Sequence, residues 1–151
     1  MIIRTAAPHE RAALEDLQRR ASLMWDEYRP YLLANPDVID LPLAQLREGK
    51  VRVAEHDGRG AGFAALLHRS GFCELDGLFV EPDLWGLGIG RALVADALAI
   101  ARQSGATAIE TVANPRAEGF YTKLGFAFTG RTQTPFGPAN RMRISAFSAQ
   151  S

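Results

Sequence analysis

The chain has 151 residues, of which 47% are hydrophobic, and its 17 basic and 17 acidic side chains cancel. That length suits one domain over residues 1–151 with a single core, and the charge balance excludes a global field drawing nucleic acid or an anionic membrane. A lone cysteine, Cys73, excludes an internal disulfide and a multi-cysteine metal site.

The start, MIIRTAAPHERAALEDL, carries acids and lacks the basic-then-apolar layout of a signal peptide, and no apolar run is long enough to span a bilayer. The expectation is a cytoplasmic protein, with no nucleic-acid partner, no membrane and no metal. Met1 to Arg4 reads as a short strand. Pro8 suits the first position of a helix whose Ala13, Leu14, Leu17, Ala21 and Met24 recur at helical spacing. The next stretch, LMWDEYRPYLLANPDVIDLPL, is broken by Pro30, Pro36 and Pro42 and predicts short helical pieces joined by turns. Lys50–His56 and Ala61–His68 are strand-like, and Asp57-Gly58 between them is a hairpin signal. Phe72–Val80 (FCELDGLFV) continues the meander and buries Cys73. Ile89, Leu93, Ala97, Ile100 and Ala101 share one face of a helix ending near Gly105. Thr107–Ala113 reads as a buried strand. Asn114 and Pro115 predict a helix start, with Ala117, Phe120, Tyr121 and Leu124 as its apolar stripe. Phe126–Thr132 and Arg141–Phe147 finish as strands, giving a mixed α/β fold around one sheet. His9, His56 and His68 read as surface residues.

Between the third strand of the meander and its helix lies LWGLGIGR, residues 84–91. A dinucleotide fingerprint needs glycine at its sixth position, and this stretch offers Arg91 or Leu93 there. A nucleotide P-loop needs Gly-Lys-Ser/Thr, which is absent. What remains is a strand entering a helix through glycines, which leaves backbone N–H groups at the positive helix end able to hold a phosphate without a lysine. A tight strand-to-helix turn with no ligand explains the glycines as well.

The stretch ELDGLFVEPDLWGLGIGRALV, followed further on by NPRAEGFYTKLGF, resembles the two motifs of the GNAT superfamily of N-acetyltransferases. The resemblance covers roughly Val51 to Phe147. It implies a GNAT-like single domain with a mixed, mostly antiparallel sheet of about six to seven strands and about four helices. In that family Gln/Arg-x-x-Gly-x-Gly/Ala binds the pyrophosphate of acetyl-coenzyme A. Its glycines map to Gly88 and Gly90, and Trp85 stands at the Gln/Arg position. The implied cradle is Gly86, Leu87, Gly88, Ile89, Gly90 and Arg91, where Arg91 is either a phosphate partner or a solvated helix residue. The strand end Leu78, Phe79 and Val80 is implied to pair with the pantetheine arm, with Gly77 suiting a bulge there.

The implied reaction moves acetyl from acetyl-coenzyme A, as cosubstrate, to a primary amine of a small molecule, protein or peptide by direct attack. A catalytically weak coenzyme A sensor or partner-binding module is the alternative. The leaving thiolate needs a proton, and Tyr121 matches the tyrosine many family members use for it, since a phenol of pKa about 10 can supply one. The same residue also fits the apolar stripe. The attacking ammonium must lose a proton. Glu74 and Asp76, two apart and so on one strand face, are the candidate bases, Glu74 first, with water as the alternative. Asn114 matches an asparagine that binds the coenzyme's amides, and equally suits a plain helix cap. Trp25 and Tyr28, with Tyr31, could receive a cationic or aromatic amine or simply pack a short helix. Gln133–Ala139 reads as a loop walling the acceptor site. A homodimer stays open.

Overall fold

The computed structural model describes residues 1–147. In chain order its elements are β1 (Ile2–Thr5), α1 (Arg11–Leu23), α2 (Arg29–Ala34), α3 (Leu43–Arg47), β2 (Val51–His56), β3 (Arg59–His68), β4 (Cys73–Val80), α4 (Ile89–Gln103), β5 (Ala108–Ala113), α5 (Glu118–Lys123), β6 (Ala127–Thr134) and β7 (Gly137–Ser145). The seven strands form one sheet in the order β1-β2-β3-β4-β5-β7-β6. The β4·β5 pair is parallel, joined through α4, and the β1·β2, β2·β3, β5·β7 and β6·β7 pairs are antiparallel. The mixed α/β fold is therefore as expected. Five α-helices stand where about four were expected, because the proline-broken stretch supplies two: Pro30 lies in the first turn of α2 and Pro42 precedes α3. No helix among the described residues is long and apolar enough to cross a membrane.

The chain packs as two compact units, Met1–Ala65 with Gly77–Leu93, and Leu66–Asp76 with Val94 onward. In the first, alternation along β2 and β3 turns Val51, Val53, Phe63 and Ala65 inward, onto Leu14 and Leu17 of α1 and Leu46 of α3. The Phe79 ring packs against Phe63 at 5.4 Å between centroids. The β2–β3 hairpin turns at Asp57 and Gly58 with both residues left-handed, as the dipeptide predicts. Gly62 allows a close crossing: a Cβ there would lie 2.8 Å from the Phe79 carbonyl oxygen.

In the second unit Cys73 and Leu75 of β4, Ile109 of β5, and Met142 and Ile144 of β7 are buried along with Val94, Ala97, Leu98 and Ala101 of α4. The thiol is a core group, 3.9 Å from the Ser104 hydroxyl. Two expectations change here. Residues 133–139 are not a loop: β6 and β7 pair to Thr134↔Gly137, leaving Pro135 and Phe136 as a tight turn. Pro138 is tolerated in β7 because it lies beyond the last β5 pair, Ala113↔Asn140, where one ladder alone needs its backbone. Asn114 does not open α5 directly. Its Oδ1 accepts from the N–H groups of Arg116 and Ala117, both at 2.9 Å, capping a turn ahead of the helix that starts at Glu118.

Candidate active site

In the first unit, β4 ends at Val80 and the chain bends through Glu81-Pro82-Asp83. The bend is held from several sides. The Glu81 N–H donates to the Ala61 carbonyl at 2.8 Å. The Glu81 carboxylate, only 8% exposed, accepts from Arg20 Nε at 2.9 Å and Nη2 at 2.7 Å, with Arg59 at 3.7 Å. Such a two-pronged pair satisfies a carboxylate that burial alone would penalise. Arg59 also donates to both Asp83 oxygens at 3.2 Å.

Trp85 follows. Its indole N–H donates to the Val80 carbonyl at 2.8 Å, and its ring stacks on Trp25 at 5.6 Å and 27°. The side chain at the Gln/Arg position thus folds back on the strand end and on the segment before α2. Gly86 and Gly88 then take φ of +88° and +82°, which only glycine adopts without strain, and the space where each Cβ would stand is open. Leu87 is exposed, Ile89 is buried and anchors the start of α4, and Arg91 is exposed. The Ala92 N–H donates to the Gly88 carbonyl. A 15-residue helix with no acidic residue in its first turn, entered through bare glycines, suits an anionic phosphate. Leu78, Phe79 and Val80 are half-buried, and the Phe79 ring covers Gly77, where a Cβ would lie 2.8 Å from that ring.

The second unit carries the titratable candidates. Glu74 and Asp76 share the face of β4 opposite the buried Cys73 and Leu75. Arg69 reaches the Glu74 carboxylate at 3.5 Å. Across the parallel ladder Glu74 faces Glu110, which is paired with Arg143. Asp76 is held above the ordinary carboxylate range, first by partial desolvation and then by the charge of Glu74, with Arg69 opposing. Tyr121 of α5 is 7% exposed, edge-on to Phe120 and Phe126 at 5.1 and 5.2 Å. Burial pushes its phenol up to about 12, and a bond with the Thr111 side chain pulls the other way. Thr111 Oγ1 in turn donates to the Leu75 carbonyl at 3.0 Å.

Within each unit the structure joins some predicted residues and ties others elsewhere. Trp25 stacks on Trp85, while Tyr28 joins Trp25 through its own N–H at 3.0 Å from the Trp25 carbonyl. Asn114 serves the local turn. Tyr121 has its ring in the apolar stripe and its hydroxyl bonded to Thr111. Sequence reasoning missed Thr111, Glu81 and Arg20. For Thr111 a signal existed, because a hydroxyl in the apolar run TAIETVA needs a partner once buried. For the Arg20–Glu81 pair there was none, since 61 positions separate the two. Among the described residues no group of three or more His, Cys, Asp or Glu is placed to hold a metal.

Comparison with known proteins bears on this arrangement. The peptidyl-lysine N-acetyltransferase YjaB of Salmonella typhimurium is 46% identical over 59 residues, a match spanning 39% of this chain and 39% of that relative's length. The 5-NmdU N-acetyltransferase of Pseudomonas phage PaMx11 is 25% identical over 134 residues, covering 87% of this chain and 91% of the phage protein. The crystal structure of the PaiA N-acetyltransferase of Thermoplasma acidophilum in complex with coenzyme A shares the fold, with a TM-score of 0.77, 18% identity, and coverage of 95% of this chain and 98% of that one. The family model for the acetyltransferase (GNAT) family matches residues 12–126, from α1 through the glycine loop to just past α5, and the chain belongs to that family.

Proposed function

We propose that this chain, as one domain spanning residues 1–151, is an acetyl-coenzyme A dependent N-acetyltransferase that transfers acetyl to a primary amine of a small molecule or peptide. The observation that carries the reading is the loop Gly86–Gly88, its two glycines left-handed with open space at their Cβ positions, leading into the long helix α4, whose first turn has no acidic residue. The residues present suit the coenzyme: the loop amides and the α4 N-terminus bind its pyrophosphate, Arg91 adds positive charge, and the strand end Leu78–Val80 binds the pantetheine arm. Acetyl-coenzyme A supplies an acetyl group activated as a thioester. Tyr121 holds a proton on its Oη and gives it to the thiolate as the carbon–sulfur bond breaks. Thr111, its own O–H committed to the Leu75 carbonyl, positions that hydroxyl through its Oγ1. The acceptor attacks as the neutral amine, and Asp76 takes at a carboxylate oxygen the one proton its nitrogen sheds as the carbon–nitrogen bond forms. Glu74, the first candidate base on sequence grounds, is engaged by Arg69, so we assign it the lesser role of raising the basicity of Asp76 by its charge.

That Trp25 and Tyr28 contribute to the acceptor side rests on the aromatic stack; the names of relatives that act on peptidyl lysine and on a modified base support an amine as acceptor without naming this one. The test is calorimetry with acetyl-coenzyme A beside release of free thiol with polyamines, lysine peptides, arylethylamines and aminoglycosides. The reading expects binding, thiol release with at least one amine class, and loss of binding in Gly88→Asp. Binding without thiol release for any amine points instead to a sensor; no binding at all removes the coenzyme from the picture.

A further inference from the structure

Gly86 and Gly88 have nothing within 4 Å of their missing Cβ positions, and Leu87 between them is 56% exposed. No packing inside the loop therefore holds its shape, and glycines in left-handed conformations lose more entropy on ordering than other residues. Whatever pre-shapes the loop must act at its two flanks. On the helix side this is Ile89, 2% exposed. On the strand side it is Trp85, the last residue before the first glycine. Its indole N–H holds the Val80 carbonyl, while the N–H of the same peptide unit, that of Glu81, is held by Ala61 at 2.8 Å. The peptide between Val80 and Glu81 is thus pinned at both its polar atoms, and the Trp85 ring is pinned in turn by Trp25.

We propose that Trp85 is a positioning residue for the glycine loop, pre-shaping it for an anionic phosphate by clamping the Val80 carbonyl and stacking on Trp25. This rests on the reading that the loop binds the coenzyme's pyrophosphate. A clamp of this kind acts on affinity, because ordering the loop before binding lowers the entropy lost on binding. It leaves the proton-transfer groups untouched. The stack also gives the protein an optical probe: the chain has two tryptophans, and they are the two in the stack.

Trp85→Phe keeps an aromatic ring for Trp25 and removes the indole donor. The expected result is a KM for acetyl-coenzyme A raised about 3- to 10-fold, the scale of one lost hydrogen bond, with kcat within about twofold of the parent. Trp25→Phe keeps the donor and thins the stack, so its KM rises less. Coenzyme A added to the parent protein changes tryptophan emission, since its seat begins one residue after Trp85. A purely structural role would lower the melting temperature and the active fraction, hence kcat, with KM unchanged. That outcome in Trp85→Phe, or coenzyme binding by the parent with no change in emission, overturns the positioning role and leaves the functional reading intact. A parent protein that binds no coenzyme A by calorimetry overturns both. Should Trp85→Phe fail to fold, the emission change and the Trp25→Phe KM decide.

Discussion

Tyr121 and Asp76 are each shifted upward, Tyr121 by burial and Asp76 by partial desolvation and the charge of Glu74. A phenol at about 12 stays protonated across the working range, so it is always loaded as a donor and contributes no limb to a pH profile below about pH 11. Tyr121→Phe keeps the ring contacts with Phe120 and Phe126 and removes only the hydroxyl. It is expected to lower kcat by about 10²-fold or more with coenzyme affinity little changed, and an unaltered kcat measured at saturating acetyl-coenzyme A removes Tyr121 from the acid role. Asp76 has a raised folded pKa, so its proton is bound more tightly in the folded state. The folded protein therefore gains stability from this group as pH falls through that pKa, and the ionised form at neutral pH is a net cost. Asp76→Asn should accordingly cut kcat/KM by about 10²-fold while leaving the melting temperature at neutral pH unchanged or higher. In the parent the acid limb of kcat/KM lies above the ordinary carboxylate range; Asp76→Asn abolishes that limb and Glu74→Gln moves it down. A limb that persists in Asp76→Asn assigns the base elsewhere.

At the scale of elements, helices and strands were legible because local signals agreed: apolar, strand-like runs in β2 and β3, a helical stripe in α4 and a left-handed Asp57-Gly58 turn. The β6–β7 hairpin was not, because two prolines in Gln133–Ala139 read as a loop until pairing showed which backbone groups need no partner there. The glycine loop depends on an approach that sequence does not reveal. A Cβ on Gly62 would sit 2.8 Å from the Phe79 carbonyl oxygen and 3.3 Å from side-chain atoms of both Ile89 and Leu93. The backbone oxygen cannot swing aside as a side chain can. Gly62→Ala is therefore expected to destabilise the protein by about 1–3 kcal/mol, the scale of overpacking, read as a lower urea midpoint. Since Ile89 opens α4, the KM for acetyl-coenzyme A should rise as well; an unchanged midpoint would mean β3 and β4 yield more easily than close packing allows.

At the scale of the whole molecule, a ligand that binds only the folded chain must raise its melting temperature. Acetyl-coenzyme A at 100 times its Kd is expected to add about 2.7 kcal/mol, while ATP and NAD at equal concentration add little. Equal shifts for all three would mean that any phosphate suffices. The chain's balanced charge adds no general attraction for anions, so the difference reports the site itself. The sequence alone determined the element types, the α/β class, the glycine loop opening a helix and the resemblance that named a chemistry, because these are encoded within a few residues of one another. The tertiary structure alone decided that Trp85 turns back onto Val80 and Trp25, that Arg20 satisfies Glu81 across 61 positions, and that Thr111 caps Leu75 across 36. It also separated two carboxylates that the strand period had left equivalent, engaging Glu74 with Arg69 and holding Asp76 above the ordinary carboxylate range. The reason is that a side chain's partner, and with it its charge state, depends on which distant segments folding brings alongside, and no local pattern carries that information.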